Sequence, residues 1–489
     1  MNYWNRQTRI LGRVYLSALL LIGVASPAAA DKVTLDPGSW GKEEGKACID
    51  CHRKSSAGLV TQWEQSAHAT AKVNCFDCHQ ADPADDDAIE HEGSVIATIV
   101  SPKDCGRCHD TEFRQNEGSV HAASLSHIAQ QMPVLGENLG GSAAIATGCA
   151  GCHGSRVEVR GDGTLSPDSW PNTGIGRINP DGSKGSCSAC HGRHGFSKAQ
   201  AREPSACTRC HSGPDSPDRA IYAASKHGMM FEAYRDQMNM EADQWVAGKD
   251  YSAAPTCVTC HMGAVPGLKS THDVGLRNAW NLNTPVSEKQ YLIIFEDGDK
   301  RDLPESQPLP KRGSELEKSD GSMGKVKTVV SPKRRRQVMN KVCLECHGKG
   351  FANSFLGRFD SLVKLYNLKF GEPASAIMQA LYEKKILTPA PFDEPIEFTY
   401  RELWHDAGTR ARHGAAMASP NDTSWEGMNR VGQIFYSRFL PQVREVAGAA
   451  EAKALIEQHV TSQEAHGWLI QPERAEPVPD HGMEKSDHD

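Results

Sequence analysis

The sequence predicts a mainly α protein in two parts, with short helices and loops up to residue 296 and a bundle of long helices from residue 348. Three observations predict it. Cysteine–histidine elements crowd the first part, and apolar residues make up only 38% of the 489-residue chain. Apolar spacing takes on a sustained helical period only after His347.

The chain begins with Arg6, Arg9 and Arg13, an apolar run over residues 14–25 and Ala28-Ala29-Ala30 before Asp31. A run this short suits a cleaved secretory signal over residues 1–30 better than a spanning helix, although an uncleaved anchor stays open. No later stretch reaches about 18 apolar residues, so the expected location is periplasmic or an equivalent extracytoplasmic compartment. Lys+Arg number 54 against 61 Asp+Glu, a net charge of -7. That balance lacks the basic field nucleic acid requires and excludes it as an expected partner.

In such a compartment an even cysteine count would ordinarily mean disulfides, so spacing decides. All 16 cysteines fall in CxxCH elements: Cys48-Cys51-His52, Cys75-Cys78-His79, Cys105-Cys108-His109, Cys149-Cys152-His153, Cys187-Cys190-His191, Cys207-Cys210-His211, Cys257-Cys260-His261 and Cys343-Cys346-His347. Two thiols of this spacing attach haem vinyl groups and the adjacent histidine ligates the iron. A single element would also suit a zinc half-site or a redox dithiol, but eight that exhaust the cysteines of a secreted chain do not. Eight covalently bound c-type haems are expected. The fold class is therefore a mainly α multihaem cytochrome c with a haem-packed N-terminal region and a C-terminal long-helix bundle, the macrocycles replacing apolar side chains as core.

Within the haem-dense region, residues 31–296, seven motifs are joined by turns such as Gly161-Asp162-Gly163 and Ser212-Gly213-Pro214. Little sheet is expected there. Residues 297–347 read as a charged linker leading to the eighth motif, and Lys333-Arg334-Arg335-Arg336 as a solvated helix start facing propionates or docking a partner. Residues 348–472 read as three or four long helices broken at Gly371-Glu372-Pro373, Pro389-Ala390-Pro391 and Ser419-Pro420-Asn421. Thr423 and Glu426 form a capping-box pattern, which predicts a helix start at Asp422. The acidic, proline-bearing tail, residues 473–489, reads as disordered.

Electron-carrying haems need a second axial ligand, and a haem that does chemistry needs an open face. His68, His91, His121, His194, His227 and His272 lie among the motifs and are the expected distal ligands. His405 and His413 are eight apart on one expected helix and face broadly one side, so at least one of them reaches a haem. His459, His466, His481 and His488 are expected in solvent, and His127 reads as surface or core.

At this point the sequence resembles the octahaem hydroxylamine oxidoreductases and their reductive relatives, themselves similar to pentahaem nitrite reductase. The resemblance covers residues 48–445. It is carried by Gln62-Trp63-Glu64 with Ser66 and His68, Glu90-His91-Glu92-Gly93, Trp170-Pro171-Asn172-Thr173-Gly174-Ile175-Gly176-Arg177, Ser225-Lys226-His227-Gly228, Thr271-His272-Asp273-Val274-Gly275, and Leu403-Trp404-His405 leading into Arg410-Ala411-Arg412-His413-Gly414-Ala415. It implies an α-rich fold, a catalytic haem at the fourth motif with His153 as proximal ligand, seven bis-histidine haems, and a homotrimer. It also implies a small inorganic nitrogen substrate and a redox protein or quinol-linked electron partner.

Two departures bear on mechanism. Family members typically read Gly-Pro-Asp-His-Pro after the sixth motif, whereas this chain reads Gly213-Pro214-Asp215-Ser216-Pro217. Asp215 is the catalytic proton relay under the resemblance, with a plain turn residue as the alternative, and Ser216 cannot replace a group that titrates near neutrality. Hydroxylamine-oxidising members also carry a cross-linking tyrosine where this chain has Asp422, within Pro420-Asn421-Asp422-Thr423-Ser424-Trp425-Glu426-Gly427. The expected reaction is therefore reduction of nitrite or hydroxylamine to ammonium. Oxidation of hydroxylamine or hydrazine, and a non-catalytic electron conduit, remain the alternatives.

Overall fold

The computed structural model describes residues 44–125, 141–214, 216–319 and 321–469. The expected signal segment, His127, Asp215, His481, His488 and the acidic tail lie outside the described residues.

Short helices carry the first seven motifs, as their spacing predicted. A helix of one turn fixes many dihedrals for few hydrogen bonds, so its start must be held from outside. The Asn74 side chain caps Cys75–His79, and Asp77 returns a bond to the Asn74 backbone. Ser101 and Asp104 do the same for Pro102–Gly106. Before Cys257–His261 the Thr259 hydroxyl accepts from the Thr256 N–H at 3.2 Å. Caps of this kind stabilise by about 1 kcal/mol each.

Among the described residues, sheet appears in two places. Strands β1 (Ala88–His91) and β2 (Ser94–Ala97) form an antiparallel hairpin. Its two-residue turn, Glu92-Gly93, has φ of 50° and 79°, the positive values such turns need. The Glu90-His91-Glu92-Gly93 motif is thus a device for presenting His91.

The second place corrects the linker reading. The strands are β3 (Trp280–Asn281), β4 (Glu288–Phe295), β5 (Lys300–Pro304), β6 (Glu315–Glu317) and β7 (Met323–Val330), all antiparallel. Their order is β3-β4-β7-β6, with β5 also on β4, so the 296/297 boundary falls inside the β4–β5 hairpin. One face buries Ile293, Phe295, Leu303 and Val326, and the other is covered at Gln290 and Leu292. Alternation hid the sheet, because its charged face alone dominates the composition.

The basic run does begin a helix, Pro332–Cys343, capped by Ser331. It is not solvated throughout, since Arg335 is 1% exposed. Its guanidinium donates to the carbonyls of Gly275 (2.6 Å), Leu276 (3.2 Å) and Gln290 (3.2 Å) and to Asp302 (2.7 Å). It pins the loop after the seventh motif to the sheet.

Beyond the eighth motif the long helices pack around Phe370, Ile377, Leu381, Leu403, Phe435 and Phe439, an apolar core of ordinary kind. Three predicted details fail. At Gly371-Glu372-Pro373 the chain stays helical, because the wider turn Asn367–Gly371 absorbs the proline between Lys349–Tyr366 and Glu372–Glu383. The helix after Ser419 starts at Pro420, with Ser419 as N-cap residue, and Thr423 instead bonds back to the Ser419 carbonyl at 2.7 Å. His466 is buried, not in solvent, between the Lys369 carbonyl (2.8 Å) and the Tyr436 hydroxyl (3.1 Å).

Arg412 ties this bundle to the haem-dense half. It is fully buried and donates to the carbonyls of Gly408 (2.8 Å), Thr284 (2.7 Å) and Trp404 (2.8 Å) and to the Ser287 hydroxyl (2.6 Å). Its guanidinium also stacks 4.2 Å from the Tyr366 ring centroid. Arg412→Ala strands those acceptors and opens a cavity, so a loss of about 3–5 kcal/mol is expected, read as a lowered thermal unfolding midpoint. A midpoint equal to the wild type would contradict this role.

Candidate haem array and active site

The test of whether these residues fit haem iron is the spacing of the imidazoles. An iron about 2 Å from a nitrogen on each side puts two ring centroids roughly 6.3 Å apart. Five pairs meet that spacing: His52 with His91 (6.2 Å), His68 with His109 (6.2 Å), His121 with His211 (6.3 Å), His191 with His272 (6.4 Å) and His227 with His347 (6.2 Å). His194 is a neighbour of His79 and feels its charge. All six expected distal histidines therefore stand by a motif histidine, with room for a metal between five of the pairs.

Burial also suits ligation. It pushes His121 down to about 4, helped by the charges of His211, His261 and His153, and pushes His191 down to about 4 with help from His272. Low values keep the imidazole neutral, the form that binds metal. Second partners orient several rings. His79 Nδ1 lies 2.9 Å from the Ala97 carbonyl, and His261 Nδ1 lies 3.4 Å from that of Val274.

The cysteines show how the motifs connect in space. The side chains of Cys105 and Cys187 touch, as do those of Cys207 and Cys257, and of Cys152 and Cys210. Cys75 neighbours Cys48, Cys78 neighbours Cys105, and Cys190 neighbours Cys207. Cys260 lies by Cys343 and Cys346. The path thus runs through the first, second, third, fifth and sixth motifs. From the sixth it branches to the fourth and to the seventh and eighth. None of the sixteen cysteines is in a disulfide. The matured chain is expected to show eight haem mass increments and no free thiol. An intact mass with seven or fewer, or any cystine, contradicts that count.

The fourth motif is held by the segment that the sequence singled out, 170–177. The Ile175 N–H donates to the Cys152 carbonyl (2.9 Å), and the Asn172 amide donates to the Ser155 carbonyl (3.0 Å) and hydroxyl (2.8 Å). Arg177, 2% exposed, locks the segment by donating to Asn172 O (3.1 Å) and Asn179 Oδ1 (2.6 Å). Gly174 is required because a Cβ there would collide with the Gly154 backbone. The Ser124 hydroxyl donates to the His153 carbonyl at 2.9 Å.

Of the remaining predicted residues, Ser216 joins the sixth motif's surroundings. Its hydroxyl lies 2.8 Å from His211 Nδ1 and donates to Asp218 Oδ2 at 3.1 Å. Asp218 went unremarked in the sequence, where nothing in Asp218-Arg219-Ala220 distinguishes it from a helix-start acid. It accepts from His211 Nδ1 (2.9 Å) and His413 Nδ1 (2.7 Å). Burial acts to raise its pKa, but His413 and His211 overrule it and hold the carboxyl well below the usual range. One carboxylate therefore joins His413 to His211 of the sixth motif. His405 lies in the turn Glu402–Ala407, its ring edge on Trp404 and its Nδ1 3.6 Å from Asp406.

Asp422 is 2% exposed. It pairs with Arg410 at 2.7 Å and accepts from the Ser419 hydroxyl at 2.6 Å. Gly414 and Gly427 let the helices on either side approach closely, since a Cβ on either would strike the Asp422-Thr423 backbone.

Three comparisons bear on this geometry. A family model described as a multihaem cytochrome with seven CxxCH motifs matches residues 180–291 and 326–395. The chain is 26% identical over 384 residues to a probable nitrite reductase-hydroxylamine oxidoreductase fusion protein of Kuenenia stuttgartiensis, covering 71% of this chain. It spans 39% of that relative's length. Among solved structures, a hypothetical multiheme protein matches with a TM-score of 0.68 at 26% identity, over 84% of this chain and 97% of that one. The reducing HAO-like protein complex of Kuenenia stuttgartiensis matches at 0.56 and 20% identity, over 85% and 87% of the two chains, which is a likeness of fold.

Proposed function

From a chain that is a mainly α multihaem cytochrome, similar to hydroxylamine oxidoreductase-like proteins, we propose a periplasmic octahaem enzyme that reduces nitrite or hydroxylamine to ammonium at its fourth haem. The observation that carries the reductive direction is Asp422. At the position where the resemblance puts the oxidative members' tyrosine, this chain has a carboxylate buried in its own ion pair with Arg410.

Cys149, Cys152 and His153 would hold the fourth haem, which would supply one-electron redox chemistry to the nitrogen of nitrite or hydroxylamine. The chain's residues do the rest. Bis-histidine pairs on the path through the sixth motif deliver the electrons. His153, its motif held by segment 170–177, fixes the face from which the iron is held. Asp215 relays protons as N–O bonds break. Nitrite needs six electrons and eight protons to give ammonium and two waters, and hydroxylamine needs two electrons and three protons to give ammonium and one water. A homotrimer supplied by a redox protein or quinol-linked donor completes the proposal.

An electronic spectrum of the holoprotein tests it. A high-spin haem that changes on adding nitrite, hydroxylamine or cyanide is the expected result. Eight low-spin haems indifferent to all three would make the chain an electron conduit instead.

A further inference from the structure

We propose that the Asp218 carboxylate ties together the reduction potentials of two neighbouring haems, those of the sixth and seventh motifs, by holding one axial histidine of each. The inference rests on the haem array of the proposed function and not on its nitrogen chemistry.

The first half follows from the sixth motif. His211 pairs with His121 at iron-bridging distance, and its other nitrogen, Nδ1, lies 2.9 Å from Asp218 Oδ2. A ligating imidazole that donates its second N–H to a carboxylate becomes a stronger electron donor and favours the ferric iron.

The second half follows from His413, whose Nδ1 lies 2.7 Å from the other oxygen, Oδ1. With Nδ1 engaged, Nε2 is the atom left for a metal. The six distal candidates nearer the N-terminus already stand by other motif histidines. His261 of the seventh motif feels the charges of both Asp218 and His211. Of the two C-terminal candidates, His413 and not His405 bonds the carboxylate whose charge His261 feels, so it is assigned to the seventh haem, and the Cys207 and Cys257 side chains of the same two motifs touch.

One carboxylate therefore spans the second nitrogens of two axial ligands at the branch of the electron path. Reducing either iron, one electron from the donor and none lost elsewhere, weakens the donation from its imidazole. The carboxylate then serves the other imidazole more fully and holds that iron ferric. Electrons are passed through this pair one at a time, at low potential, which suits delivery from the sixth motif to the fourth. Ser216 contributes by donating to the same carboxylate oxygen.

Redox titration of the holoprotein, followed by electron paramagnetic resonance, tests this on Asp218→Asn and Asp218→Glu. Two of the haem midpoints are expected to rise in Asp218→Asn by a tenfold change in the ferrous-to-ferric ratio at fixed potential, about 59 mV for one electron. Asp218→Glu keeps the charge and is expected to stay nearer the wild type. Intact mass and the low-spin spectrum, taken on the same samples, separate this from a failure of haem loading. Fewer than two midpoints moving, or all moving together, overturns the proposal. A fully loaded protein with no nitrite turnover would sink only the nitrogen chemistry.

Discussion

The His153→Gly holoprotein is expected to lose nitrite, hydroxylamine and cyanide binding and turnover while keeping most of its low-spin spectrum. Removing only an outer partner of a metal ligand already costs about 10–100-fold, so loss of the ligand itself should leave activity below about one hundredth of the wild type. The damage should stay local for a structural reason. The fourth motif hangs off the sixth by the Cys152–Cys210 contact, and the path from the first motif to the sixth, and on to the eighth, does not pass through it. The segment that grips it is itself anchored by Arg177 and Asn179. Added imidazole should restore part of the ligand binding, since the substitution leaves space where the ring stood. Equal loss of signal at every haem, or no response to imidazole together with unchanged turnover, would count against His153 as the ligand of the active haem.

Where the sequence could be read and where it could not has a physical pattern. The covalent chemistry was visible because CxxCH is local, and five of the expected distal histidines proved to be ring partners because free histidines crowded among haem motifs have few other uses. What escaped were features whose cause is non-local. The sheet over β3 to β7 was hidden by a charged outer face, and the long helix continued past Gly371 because packing outweighed a Gly-Pro signal. His466 was read as solvated from its position near the tail, yet Phe435 and Tyr436 pack on its ring. Asp218 was invisible for a further reason. Its two histidine partners lie 7 and 195 residues away in the chain, and no spacing rule joins them.

The reduced holoprotein is expected to convert nitrite or hydroxylamine to ammonium at least about tenfold faster than it oxidises hydroxylamine with an artificial acceptor, a barrier difference of about 1.4 kcal/mol. The position that the resemblance aligns with the cross-linking tyrosine holds Asp422. Asp422 cannot supply an aryl link, and with 2% exposure and both oxygens engaged it faces its own chain, not a neighbour. Tyr436 is the nearest tyrosine further along, about four turns on at roughly 3.6 residues per turn. It is committed as well: its hydroxyl lies 3.1 Å from His466 Nδ1, and its ring packs against Phe370, Phe435 and Trp468. Freeing it would break that cluster. Proteolysis of the holoprotein should accordingly give only ordinary thioether-linked haem peptides, and Asp422→Tyr should fail to create an adduct, since the ring would displace the Arg410 pair before reaching outward. A tyrosine–haem adduct in the wild-type digest, or turnover confined to the oxidative direction, would overturn the reductive reading while leaving the haem array and the role of His153 intact.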